Sequence, residues 1–262
     1  MRRKHHTSDS KEGRSSTSAD PGPAVPSQSA AECAAAGKGH ASITVGATDK
    51  GHSVREYSKG EEIANATTHG IGAVLSVVAV FWCVSAAMAD GGGILLVSAL
   101  IYSIAMFLEY LMSTLYHALT ADGAKRVFKV LDHSFIYIYI AGSYTPFCLI
   151  ALADSGGYLL CAIVWGLAVL GVALEAFWVF RPRWISAVLY LLLGWCVVWY
   201  LGPLVAWLPA PGLWLLVAGG VCYTVGCVFY VLKKVPYMHS VFHAWVLAGS
   251  ICQFFAIVLY VL

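Results

Sequence analysis

His239 and His243 stand four residues apart in Pro236-Tyr-Met-His239-Ser-Val-Phe-His243-Ala-Trp245, at the head of the last apolar run of the chain. At that spacing both imidazoles lie on one helical face, where they make half of a metal site. A polar pair at the edge of a membrane span is costly and calls for a partner or a purpose. The remaining ligands must come from other parts of the sequence.

The elements that would position them follow from composition. Hydrophobic residues make up 59% of the 262 positions and charged residues 11%, and the mean hydropathy is +0.74, far above what a soluble core requires. The chain therefore reads as an integral, multi-pass membrane protein, with the cell membrane as its expected location. Its expected partners are membrane lipid, including a lipid substrate, and not nucleic acid. The formal charge of +2 says little, because the charges are unevenly placed: nine of the 16 Lys and Arg precede residue 61.

Residues 1–60 are rich in Ser, Gly, Ala, Pro and charge and lack apolar periodicity, so they cannot bury enough surface to offset chain entropy. They read as a disordered tail whose cytoplasmic partners the sequence does not name. Its basic start is not followed by the apolar run of a secretory signal, so no cleavage is expected. His5 and His6 read as solvated tail residues.

Residues 61–262 read as one transmembrane domain. Seven apolar runs of helix-spanning length fall near 67–89, 93–119, 130–153, 157–180, 184–207, 212–232 and 238–262. The connections carry turn residues, as in Asp90-Gly-Gly-Gly93, Asp122-Gly123, Asp154-Ser-Gly-Gly157 and Pro209-Ala-Pro211. The fold class is thus an all-α, seven-transmembrane-helix bundle, with a kink expected at Tyr144-Thr-Pro146 in span 3. Lys125, Arg126, Lys129, Arg181, Arg183, Lys233 and Lys234 fall in the even-to-odd connections, and the other loops hold no cation. That bias predicts a cytoplasmic N-terminus and an exterior C-terminus.

On this topology His69 begins span 1, His117 ends span 2, His133 begins span 3, and the opening pair begins span 7. All five lie towards the cytoplasmic leaflet, and ligands for one site must share a depth. A single histidine near a helix end is more commonly an interfacial residue bonded to a neighbour. With His117 added to the pair, however, a metal site is the better reading, and imidazole chemistry suits zinc. Three protein ligands leave the open position associated with catalysis. Asp132 would serve as second shell or general base, or else as an interface charge paired with Lys125, Arg126 or Lys129. Glu109, Ser113 and His117 share a face of span 2 at i, i+4 and i+8, which aims Ser113 at the site and puts Glu109 about two turns deeper. Glu109 and Glu175 stay unassigned between a functional role and a protonated, hydrogen-bonded one. The eight cysteines contain no CxxC pattern and suggest no disulfide framework.

Three stretches together resemble the signatures of the progestin and adipoQ receptor family, which includes the hemolysin III proteins: Glu62-Ile-Ala-Asn65-Ala-Thr-Thr-His69, Ser113-Thr-Leu-Tyr-His117 followed by Asp132, and His239-Ser-Val-Phe-His243. Asp132-His133 and Gly142-Ser-Tyr-Thr-Pro-Phe147 resemble the hemolysin III branch. The resemblance covers nearly all of residues 61–262. It implies a seven-helix fold with zinc on His117, His239 and His243 near the cytoplasmic leaflet, Asp132 hydrogen-bonding the water on the zinc, and His69 and His133 lining the site. The long tail departs from the usual short bacterial form.

Three functions are compatible with this reading. In the first, a zinc-dependent hydrolase of a lipid amide or ester, Asp132 handles the proton; resemblance to related receptors and alkaline ceramidases implies this chemistry. In the second, a non-catalytic membrane sensor or regulator, zinc ties span 2 to span 7. A pore-forming cytolysin ranks last, since the sequence has neither a secretion signal nor an amphipathic pore-forming segment.

Overall fold

Seven helical segments are long and apolar enough to cross a membrane, as the hydropathy runs predict. The computed structural model describes residues 57–232 and 234–262, and it contains no strand among them. The helices are α1 (Lys59–Ala89), α2 (Ile94–Ala118), α3 (Asp122–Pro146), α4 (Gly157–Trp178), α5 (Arg183–Gly194), α6 (Leu201–Trp207), α7 (Ala210–Val231) and α8 (Met238–Tyr260). The fifth span is composite, because α5 and α6 are joined by the 3₁₀ segment Trp195–Tyr200. The expected tail as far as residue 56, with His5, His6 and Cys33, lies outside the described residues. The other seven cysteines are free thiols.

Where helix ends depart from the hydropathy reading, local chemistry accounts for it. Helix α1 starts at Lys59, well before the apolar run, because Ser58 closes a capping box. The Glu61 amide donates to Ser58 Oγ at 3.3 Å, and the Ser58 amide donates to Glu61 Oε2 at 3.0 Å. Glu62 and Asn65 are thereby carried on a rigid helix. Helix α3 likewise begins at Asp122, so Asp122-Gly123 forms its first turn rather than a loop; an acidic residue there complements the helix dipole. The kink expected at Pro146 takes a particular form. The α ladder gives way to a wider π turn over Phe147–Ala151, where the Leu152 amide donates to Phe147 O at 2.8 Å.

The break in the fifth span is stabilised by a side chain of α3. The Tyr144 hydroxyl donates to Gly194 O at 2.5 Å and accepts from the Val197 amide at 2.9 Å, which satisfies backbone groups the interrupted ladder leaves open. Helix α1 packs on α2 and α8, α8 on α7, α7 on α5, α5 on α3, and α3 on α2, so the contacts close into a ring with α4 outside α3 and α5. Helix α3 is the most enclosed, with 61% of its apolar window buried against 17% for the composite fifth span. Close approach of α1 to α2 depends on Gly72, where a Cβ would lie 2.4 Å from the Tyr110 ring.

Because the spans alternate, the starts of α1, α3, α5 and α8 share one end of the bundle with the ends of α2, α4 and α7. The described cations Lys125, Arg126, Lys129, Arg181, Arg183 and Lys234, at helix starts or in the connections, fall at this basic end, together with all five core histidines.

Candidate metal centre

His117, from the last turn of α2, meets His239 and His243, from the first turns of α8, at the basic end. Each of the three offers a ring nitrogen, and the three nitrogens lie within 4.8 Å of one another. Tetrahedral zinc sites, with metal–nitrogen bonds of about 2.0–2.1 Å, place such atoms roughly 3.3 Å apart, so modest side-chain rotations would close the set. All three imidazoles are buried, His243 being only 1% exposed.

The surrounding residues determine which nitrogens face inward. Glu62 Oε2 lies 2.6 Å from His117 Nδ1, and a carboxylate there holds the proton on Nδ1. Nε2 of His117 is then a buried acceptor with no hydrogen-bond partner among the described residues. Lys125 Nζ stands 2.7 Å from Glu62 Oε1 and also donates to Tyr116 O at 3.0 Å, which orients the carboxylate. His243 Nδ1 lies 3.3 Å from the Asn65 backbone carbonyl, a pure acceptor, so this ring too turns its Nε2 lone pair away. His239 Nδ1 is buried without a hydrogen-bond partner among the described residues. Unsatisfied imidazole nitrogens converging in a membrane interior are a set of donors suited to a metal ion.

Two further contacts position α8. The Asn65 side chain accepts from Ser240 Oγ at 2.5 Å. Tyr237, which precedes α8, has φ of 61° and donates its amide to Glu61 Oε1 at 3.0 Å. A non-glycine residue in the left-handed region costs on the order of 1 kcal/mol, and the bond to α1 helps hold it. His69 stacks on His243 at 3.5 Å and meets the Tyr110 ring edge at 5.0 Å, with both its own ring nitrogens unpartnered among the described residues. It lines the triad from behind.

The structure places the other expected residues as follows. Ser113 is fully buried, with its Oγ unpartnered among the described residues. Asp132 is buried, its Oδ2 3.9 Å from His133 Nε2 on the same helix. Lys125, weighed as a partner for Asp132, is held by Glu62. Glu109 is buried and lines an apolar cavity of about 260 Å³ between the helices. Glu175 belongs to a separate ionic cluster: Arg181 donates to its Oε1, as does the Tyr190 hydroxyl at 3.3 Å, and His133 Nδ1 lies 3.5 Å from Oε2.

Sequence reasoning placed Glu62 and Asn65 in the first family-like stretch and weighed Lys125 only as a partner of Asp132, and gave none of the three a role at the histidines. The available signal was Ser58-Lys-Gly-Glu61, a capping-box pattern that starts α1 early and puts Glu62 and Asn65 on one face of it. Tyr57, whose ring stacks on His239 at 4.9 Å, had no such signal.

Fold and site together define a seven-span integral membrane protein with a buried three-histidine group that could hold a metal ion. The family model described as haemolysin-III related matches residues 57–254. Hemolysin-3 of Bacillus cereus is 41% identical over 215 residues, covering 82% of this chain and 98% of the relative. A hemolysin-3 homolog of Bacillus subtilis (strain 168) is 42% identical over 200 residues, covering 76% of this chain and 94% of that protein. The chain belongs to the haemolysin-III-related family.

Proposed function

We propose that this protein is a zinc-dependent hydrolase of a membrane lipid amide or ester, with His117, His239 and His243 as the zinc ligands. The observation that carries this reading is the convergence of the three imidazoles beside Phe242, whose ring stands 5.4 Å from His239 and 5.7 Å from His243 and which also walls the apolar cavity. A lipid tail in that cavity would bring its headgroup linkage to the triad. The lining includes Trp195 and Leu201, both more than 40% exposed, which on this reading would mark the entrance for a lipid tail. Zinc bound there would supply an acidified water and a Lewis acid for the scissile carbonyl. Glu62, braced by Lys125, keeps His117 in the ligating tautomer. Asp132 would serve as the proton acceptor for the attacking water, and the Ser113 hydroxyl would donate a hydrogen bond towards the substrate. The charge bias of the loops assigns this end to the cytoplasm.

A structural metal in a non-catalytic membrane regulator is the second reading. It is favoured by the near-complete burial of His243 and by the way the triad joins α2 to α8. Metal analysis and lipid mass spectrometry separate the two. The purified protein should carry about one zinc per chain, lost in His239→Ala and His243→Ala; unchanged zinc would sink the ligand assignment. Cells expressing the wild type should differ in lipid profile from cells expressing Asp132→Ala. Identical profiles would leave only the structural metal.

A further inference from the structure

The apolar cavity that Phe242 walls beside the triad also takes part of its lining from deeper in the bundle, where Glu109 of α2, Tyr139 of α3, Tyr223 of α7 and Gln253 of α8 contribute. Glu109 precedes His117 by eight residues on one helical face, which puts it about 12 Å further from the basic end. It is 3% exposed, and its Oε2 has no hydrogen-bond partner among the described residues. A buried carboxyl without a partner is costly. In the middle of a span, where the rest of the wall is apolar, such a group calls for a ligand.

The hydroxyls of the same wall decide which half of a hydrogen bond it can offer. Ser250 Oγ donates to Val246 O at 3.0 Å and accepts from Tyr110 Oη at 2.7 Å. With that hydrogen spent, the 3.0 Å bond between Tyr223 Oη and Ser250 Oγ is donated by Tyr223, and the 3.2 Å bond between Tyr139 Oη and Tyr223 Oη is donated by Tyr139. The lining hydroxyls of Ser143, Tyr144, Tyr190 and Thr224 likewise donate within the protein. What these hydroxyls leave for a ligand is oxygen lone pairs. Glu109 adds its own, since a carboxyl accepts in either protonation state, while the Gln253 amide can both donate and accept. A ligand seated here is therefore apolar along most of its length and carries a hydrogen-bond donor at the depth of Glu109. A cationic donor would have to leave water for an apolar chamber at a high cost, so a hydroxyl fits best.

We propose that this cavity selects an acyl chain with a hydroxyl group in mid-chain, and that Glu109 is the specificity-determining residue that accepts the hydroxyl's hydrogen bond. Placing that chain in a substrate rests on the hydrolase reading above; the binding itself does not. The hydroxyl would then lie about 12 Å from the level of the triad, too far for one carried on the carbons next to the scissile carbonyl.

Binding to the full chain in detergent tests the proposal, with methyl ricinoleate as probe and methyl oleate, which lacks only the mid-chain hydroxyl, as its counterpart. The wild type should prefer methyl ricinoleate about five- to tenfold, the worth of one net hydrogen bond. Glu109→Leu should abolish the preference and leave methyl oleate binding near that of the wild type; Glu109→Met gives the same reading where the leucine variant does not fold. Glu109→Gln, still an acceptor of the same shape, should keep most of the preference. Equal affinity of the wild type for the two esters overturns the proposal, as does a preference that survives Glu109→Leu. A preference lost as fully in Glu109→Gln as in Glu109→Leu overturns it too, because Glu109 would then only shape the chamber. Moving the hydroxyl beside the ester carbonyl, in methyl α-hydroxyoleate, should give no gain that Glu109→Leu removes; such a gain would overturn the mid-chain placement. His243→Ala, which removes the metal, should retain the ricinoleate preference, and its loss there would put the hydroxyl on the metal instead. Unchanged lipid profiles with an intact ricinoleate preference would defeat the hydrolase reading and leave this site standing. Lipid profiles that respond to Asp132→Ala, with equal affinity for the two esters, would defeat this site alone.

Discussion

Two buried ionic clusters share the basic end of the bundle, and they differ in what they leave unsatisfied. In one, Glu175 receives hydrogen bonds from Arg181 and Tyr190, and the Arg181 guanidinium also donates to Tyr137 Oη at 3.1 Å, while Tyr190 reaches the backbone carbonyl of His133 at 3.2 Å. Its members join α3, α4 and α5 and face one another: Glu175 Oε2 and His133 Nδ1, each without a hydrogen bond among the described residues, stand 3.5 Å apart. In the other, Glu62 is paired with Lys125 and His117, and beside it His117, His239 and His243 converge, with His117 Nε2 and His239 Nδ1 lacking a hydrogen-bond partner among the described residues. A polar cluster whose charges face one another holds helices together. One that orients unsatisfied donors is built to receive something else.

The largest effect that could break this contrast is expected in the cluster around Glu175. Arg181→Met leaves Glu175 buried without its counter-charge, a change that costs about 3–5 kcal/mol in comparable settings. It should lower the detergent-solubilised melting temperature sharply while leaving zinc content per folded chain unchanged. Glu175→Leu combined with Arg181→Met should recover most of the loss, and failure to recover would show that Glu175 does more than pair.

Glu62→Gln should act on both stability and metal. Lys125, 2% exposed, loses its counter-charge, so the melting temperature should fall, and in the chains that remain folded metal affinity should fall roughly 10–100-fold, the usual consequence of weakening a carboxylate behind a metal-binding histidine. Competition with a chelator of known affinity reads this directly. If zinc binding stays at wild-type strength, Glu62 is only a helix-to-helix tie and the two clusters are alike.

Ser113→Ala is the smallest and sharpest test. Its hydroxyl bonds to no described residue, so its removal should shift stability by no more than about 0.5 kcal/mol while slowing lipid turnover. A large loss of stability with turnover intact would move Ser113 into the structural class.

Much of the molecule was legible in the chain itself. The spans are legible because hydrocarbon forces backbone groups to pair locally, so about twenty apolar residues in a row admit one solution. The triad was legible because His239 and His243 are local partners on one helix and His117 falls at the same depth by counting spans. Glu62 was not. It precedes the apolar run that announces span 1, and only the capping box at Ser58 turns that polar stretch into helix. Glu175 stayed ambiguous for a related reason: its counter-charge, Arg181, lies one and a half turns on, at the end of α4, and whether a loop arginine folds back into the bundle is decided by packing against Tyr137 and Tyr190.

By itself the sequence determined the number of spans, their alternation, the basic end and the depth of the histidines, because each depends on chain length and hydrophobic transfer along a single segment. Only the tertiary structure decided which nitrogens point inward, that Glu62 rather than Asp132 braces His117, and that Arg183 comes to lie between Tyr57 and Tyr230 beside His239. These depend on how α1, α3, α5, α7 and α8 are rotated against one another. That rotation is set by close fits such as Gly72 against Tyr110, and no one-dimensional pattern carries it.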